Sequence, residues 1–136
     1  MFARKFTGKL LSVAVVAFLG GCAAETQESA VVWGSPLSSE AGLYESTFTP
    51  EPAEPRTGKN VVHMMLKDEQ GATVEVEPWM PAHGHGSPET PQVMEHDAGH
   101  YHVSNIVYSM PGEWRLTFDV DGSAGQDSFV LVFDVL

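Results

Sequence analysis

Residues 113–120, Glu113-Trp114-Arg115-Leu116-Thr117-Phe118-Asp119-Val120, alternate without a break between bulky apolar and polar side chains. Successive residues of an extended chain point to opposite faces. Trp114, Leu116, Phe118 and Val120 therefore share one face, and Arg115, Thr117 and Asp119 share the other. Phe129, Leu131, Phe133 and Val135 repeat the pattern near the C-terminus. A strand that is apolar on one side only needs one covering layer, which is the condition met by two stacked antiparallel sheets.

Outward from this stretch, short alternating runs recur between Gly, Pro and Asp. Candidate strands are Gly42–Thr49, Asn60–Lys67, Thr73–Trp79, Gln92–His96, His100–Tyr108, Glu113–Asp119 and Ser128–Val135. Turn signals separate them at Asp68-Glu69-Gln70-Gly71, Asp97-Ala98-Gly99 and Asp121-Gly122-Ser123-Ala124-Gly125, where Gly and Asp tolerate positive φ. No segment sustains a helical period of 3.6 residues, and no internal repeat is visible. About seven strands within residues 41–136 predict an all-β fold, an antiparallel β-sandwich.

The N-terminus carries a different message. Arg4, Lys5 and Lys9 precede a short apolar run, Leu10–Leu19, too short to span a bilayer but fitting the core of an export signal over residues 1–21. Leu19-Gly20-Gly21-Cys22 follows and resembles the bacterial lipoprotein box, in which the cysteine is acylated and becomes the new N-terminus. Acyl chains bury about 0.8 kcal/mol per CH₂ and hold a protein to a membrane without a spanning helix. Ala23 stands where Asp would resemble an inner-membrane retention signal, so the expected address is the periplasmic face of the outer membrane. The stretch from Cys22 to residue 40, rich in Ala, Ser, Glu and Gly, reads as a tether.

The 136-residue chain has 7 Lys+Arg against 18 Asp+Glu, a net charge of -11. Loss of residues 1–21 would remove three basic residues and no acidic ones, taking the charge from -11 to -14. Such a surface repels a phosphate backbone, so nucleic acid is not an expected partner. The single cysteine excludes an intramolecular disulfide, a multi-cysteine metal site and a CxxC couple. No GxSxG elbow, P-loop, dinucleotide fingerprint or HExxH motif is present, so no enzyme is expected.

Histidine is the residue type through which chemistry is most legible. Five of the six histidines fall between residues 83 and 102. His83-Gly84-His85 can turn two imidazoles toward one point, because glycine leaves the intervening backbone free. The strand order sends this block and the Ser109-Met110-Pro111-Gly112 turn to the same rim of the sandwich. Met80, His83, His85 and Met110 are thus expected to converge there. Thioethers and imidazoles together suit copper(I) better than Mg²⁺ or Ca²⁺. The competing reading is a tight, half-buried loop that these residues only shape. A second candidate cluster is His96, His100 and His102, which flank the Asp97–Gly99 hairpin and suit Cu(II), Ni(II) or Zn²⁺; the alternative is a solvated hairpin face. His63, within the run VVHMML, reads as a strand residue and not a ligand, and Met64 and Met65 as packing residues.

Trp79-Met80-Pro81-Ala82-His83-Gly84-His85-Gly86, then Pro91, Gly99-His100-Tyr101 and Met110-Pro111-Gly112-Glu113-Trp114 together resemble the YtkA-like domain, related to FixH-type extracytoplasmic proteins. The resemblance spans roughly residues 57–135. It implies an immunoglobulin-like β-sandwich, often exported or lipid-anchored, in a family associated with metal handling and with copper especially. The pattern falls on Met80, Pro81, His83, His85, Gly86, Tyr101, Met110, Pro111, Gly112 and Trp114. The histidines at 96, 100 and 102 depart from it. The expected function is a lipid-anchored periplasmic carrier or accessory protein for a metal ion, copper above others, acting toward a membrane-associated partner or metal acceptor. The alternative is a non-enzymatic interaction module of the cell envelope that docks a partner through the rim or an edge strand.

Overall fold

The computed structural model describes residues 30–136. The expected signal segment and Cys22 lie outside the described residues. Within them every regular element is a strand: β1 (Leu37–Ser38), β2 (Glu45–Glu51), β3 (Gly58–Leu66), β4 (Thr73–Met80), β5 (His85–Gly86), β6 (Gln92–Asp97), β7 (His100–Tyr108), β8 (Gly112–Gly122) and β9 (Gly125–Val135). One antiparallel sheet runs β1-β2-β3-β7-β6 and the other β5-β4-β8-β9. Set aside the two-residue strands β1 and β5, and seven remain. Their order, β2-β3-β7-β6 facing β4-β8-β9, is the ABED and CFG arrangement of the immunoglobulin sandwich.

The strand pattern follows the alternation of the sequence. Trp114, Leu116, Phe118 and Val120 of β8 are buried, and Arg115, Thr117 and Asp119 between them are not. Each such large side chain removed from water contributes about 1.5–3 kcal/mol. Their partners come from the opposite sheet. Phe48 of β2 lies with its ring centre 4.8 Å from Phe118 and 5.3 Å from Phe129. Tyr108 of β7 lies 5.1 Å from Trp114 and 5.7 Å from Phe133. Offset and edge-on aromatic pairs at these spacings add to simple burial.

Several boundaries differ from expectation for local reasons. β8 and β9 continue to Gly122 and Gly125, so only Ser123 and Ala124 remain in their turn, and the Glu69 carboxylate accepts bonds from the Ser123 N–H and hydroxyl. β2 begins at Glu45 because residues 39–44 form a turn closed by bonds from Ser39 N–H to Tyr44 O and from Gly42 N–H to Ser39 O. In β7 the inward side chains are Tyr101 and Val103, then Ile106 and Tyr108. The register shift opposite Asn60 and Val62 falls at this change of parity, with Asn105 at φ 60. Asparagine accepts that left-handed backbone more readily than most residues.

Packing also reaches upstream of residue 41. Composition assigns residues 22–40 to a tether, yet from Val31 onward this stretch lies against the domain. Val31 N–H donates to Val132 O, the Trp33 ring sits 5.0 Å from Phe133, and Glu40 N–H donates to Ser128 O. Asp127 secures the same region: its carboxylate accepts from the Ser39 hydroxyl and from the Ala41 and Leu43 N–H groups.

Burial alone would raise the Asp127 pKa, but the Ser39 hydroxyl and the Ala41, Ser128 and Leu43 N–H groups outweigh it and lower it to about 2 from 3.8. The folded carboxyl titrates below its unfolded counterpart, so its stabilisation is complete above about pH 3.8 and lost as pH falls toward about 2. Thermal melts of Asp127→Asn should accordingly lie below wild type at neutral pH and converge with it in that acid window. The Tyr108 hydroxyl, by contrast, is buried with no hydrogen-bond partner among the described residues. Tyr108→Phe should raise stability by about 1–3 kcal/mol in denaturant titrations, the cost of an unmet buried polar group.

Candidate metal centre

Two groups of histidines occupy different places on the sandwich. The first is the rim where β4 ends. The Met80 carbonyl accepts from the His83 N–H at 3.2 Å and the Gly84 N–H at 2.9 Å, and Gly84 at φ +66 completes the reversal. The chain returns as β5, with Met80 opposite His85 and Trp79 opposite Gly86. Gly86 is required by the close approach: a Cβ there would stand 2.9 Å from the Pro78 carbonyl oxygen.

The candidate residues are brought to this rim in unequal positions. His83 is exposed, and His85 and Met110 are half-buried. Met80 is only 2% exposed, and its methyl reaches to 2.9 Å of where a Cβ at Gly112 would lie. Trp114 joins the parts. Its indole Nε1–H donates to Met110 O at 3.0 Å, and its ring meets His85 edge-on at 5.7 Å. The His83 and His85 ring centres are 6.0 Å apart. His85 Nδ1 lies 3.1 Å from Gly86 O. That contact assigns the proton to Nδ1 and leaves the Nε2 lone pair available, the tautomer a ligating histidine requires.

The second group lies on the outer face of the five-stranded sheet. His96, His100 and His102 are close neighbours there: His96 is 6.3 Å from His100 and 5.4 Å from His102, ring centre to ring centre. The sequence reading omits a fourth member, His63. In β3 the residues facing the core are Asn60, Val62, Met64 and Leu66, so His63 and Met65 face outward. The register places His63 opposite His102 and Met65 opposite His100. The His63 ring is 5.1 Å from His102 and 5.4 Å from His100. The period-two parity of VVHMML held the signal, since the Val62, Met64 and Leu66 face had to be the buried one.

The hairpin that carries His96 and His100 is fastened at its base. Glu95 accepts from Gly71 N–H and Gly99 N–H at 3.0 and 2.9 Å, bonds that hold its carboxyl below the ordinary carboxylate range. Leu66 N–H donates to Gly99 O at 2.8 Å, and a side chain at Gly99 would collide with the Leu66 carbonyl. Burial first, then the His63 and His96 imidazoles, hold His102 below its usual pKa against the opposing pull of Glu51. As the side chains stand, no group of three or more His, Cys, Asp or Glu among the described residues closes on a common metal position.

A family model described as YtkA-like matches residues 38–119, from β1 through most of β8, and takes in both histidine groups. No curated protein and no solved structure matches the chain.

Trp114→Phe keeps an aromatic ring in the core but strips Met110 O of its donor, which should cost about 1–3 kcal/mol. Amide exchange at residues 83–86 and at Met110 should accelerate more than along the β8–β9 hairpin. Uniform acceleration throughout the domain would show that Trp114 does not specifically organise the rim.

Proposed function

The chain belongs to the YtkA-like family, and from that premise we propose that it is a lipid-anchored extracytoplasmic carrier or accessory protein that binds copper as cargo at the rim. The observation that carries this reading is the pairing of His83 with His85, whose ring meets Trp114 edge-on while the same indole bonds the Met110 carbonyl. His85 Nε2 is left without a proton by the Nδ1 contact to Gly86 O. His83 is exposed and free to swing toward it. Two imidazoles with a half-buried thioether form a mixed soft and borderline donor set, which fits copper(I) and disfavours magnesium and calcium. In this reading His83 and His85 bind the ion and Met110 supplies sulfur from the facing turn. Met80 fixes the floor of the site through its contact with Gly112. Neutral donors hold the ion without a thiolate, which favours its release to a tighter acceptor. The lipid anchor at Cys22 and the periplasmic face of the outer membrane belong to the same proposal and rest on the Leu19-Gly20-Gly21-Cys22 box.

A second reading is supported by Trp79, which leaves 38% of its surface exposed beside the two-residue strand β5. An aromatic side chain held open next to a short edge is suited to docking a protein partner. Partner capture undiminished by a chelator would favour that reading.

Copper(I) competition titration separates the two, using the full chain without a polyhistidine tag. His83→Ala/His85→Ala should weaken copper(I) binding by at least about tenfold, or about 1.4 kcal/mol. Equal affinity in the wild type and the double variant removes the rim as the copper site.

A further inference from the structure

Four of the chain's six histidines converge from β3, β6 and β7 on the exposed face of one sheet. We propose that His63, His96, His100 and His102 form a site for one divalent cation of borderline softness, zinc(II) or copper(II), separate from the rim. His102 and Tyr108 are six residues apart on β7, so the site lies roughly 20 Å along the strand from the rim end.

The ring spacings fit a shared ion. Metal–nitrogen bonds of about 2.0–2.1 Å place rings on a common ion with centres from about 4.5 Å apart for adjacent ligands to about 6 Å for opposite ones. Three of the four neighbouring pairs, at 5.1, 5.4 and 5.4 Å, fall within that range, and His96–His100, at 6.3 Å, enters it by rotation of the exposed His96 ring. One pair already has the spacing of two bound donors: His63 Nδ1 is 3.2 Å from His100 Nε2. Two nitrogens on a tetrahedral ion are about 3.3 Å apart. Without metal this contact is held by a ring proton. A cation takes that place as the His100 proton moves from Nε2 to Nδ1, the neutral ring's other tautomer, and the exposed His96 and half-buried His102 rings turn inward about their side-chain bonds to complete the shell.

Glu51 supplies the orientation that ligating histidines use. Its carboxylate oxygen lies 3.3 Å from His63 Nε2, which places the ring proton on Nε2 and the lone pair on Nδ1, toward His100. The backbone is already fixed, since His63 and His102 are directly paired across two adjacent strands and His96 is carried by the fastened hairpin. Donors carried on strands are held more exactly than donors on loops. Four imidazoles without a thiolate suit zinc(II) and copper(II), whereas a hard cation would require oxygen donors.

Zinc(II) is the probe, because it has no reduced state to be captured by the thioethers of the rim. Competition titration of the full, untagged chain should find one equivalent bound with a Kd of about 1 µM or tighter. His63→Asn/His102→Asn should weaken this binding at least about tenfold, and Glu51→Gln by about tenfold through loss of orientation. His83→Ala/His85→Ala should leave it unchanged, so failure here and failure of the copper(I) rim are read independently. Imidazole ¹⁵N shifts of the unmutated chain provide a readout that does not depend on how the variants fold. Zinc should move the signals of His63, His96, His100 and His102 together. Movement of His83 and His85 alone, undiminished affinity in the His63→Asn/His102→Asn variant, or no binding tighter than about 100 µM overturns the site.

Discussion

The antiparallel pairing of β3 with β7 is the constraint on which both the core and the outer face depend. Burying Val62 and Met64 from one strand and Tyr101 and Val103 from the other fixes which way every alternate side chain points. A slip of one residue would turn the whole apolar set to water. The same choice forces His63, His100 and His102 outward together. The histidine face is therefore a geometric consequence of the core, with its spacing set by the ladder that holds the sheet. The irregularity at Asn105 then changes the parity of β7, returning Ile106 and Tyr108 to the interior toward the rim.

Closure of the sandwich rests on aromatic contacts. Immunoglobulin domains often join their two sheets with a disulfide, and the single cysteine of this chain cannot form one within the chain. Phe48 against Phe118 and Phe129, and Tyr108 against Trp114 and Phe133, bridge the layers instead. Trp114 also belongs to the rim, through the Met110 carbonyl and the His85 ring. Stability of the interior and shape of the rim thus meet in one indole, whose ring packs between the layers and whose N–H holds the rim.

Much of the architecture was legible because strands announce themselves by period. Glu113–Asp119 alternates without a break and Ser128–Val135 carries Phe129, Leu131, Phe133 and Val135 on one parity, and both are strands, extended at the hairpin by a tight turn that residue types alone do not delimit. The short strands β1 and β5 carry no periodic signal, because two residues cannot show a period. The packed stretch from Val31 is hidden for another reason: its composition is that of a tether, and what holds it are the backbone of β2 and, far along the chain, Phe133 and backbone groups of β9. Placement of Met80, His83, His85 and Met110 at one rim followed from strand direction, but the burial of Met80 did not, since it depends on the absence of a side chain at Gly112. His63 reads from sequence as a strand residue and not a ligand because its run is apolar on both sides, and it is indeed in β3. Only in the sheet do its neighbours separate into an inner face and an outer one.

The course of residues 31–40 across β9 and β2 has a mechanical meaning. A pull entering the domain through residue 30 does not act first on the interlayer core. It is met by the Val31–Val132 bond, the Trp33–Phe133 contact and the Gly34–Phe48 bond, and then by the pairing of β1 with β2 and the Ser39, Ala41 and Leu43 anchorage on Asp127. Loss of these contacts one after another would free residues 31–40 and detach β1, leaving the β2-β3-β7-β6 and β4-β8-β9 layers in place. The segment is a fastening with graded release, so a pull is absorbed by peripheral contacts before it reaches the interlayer core.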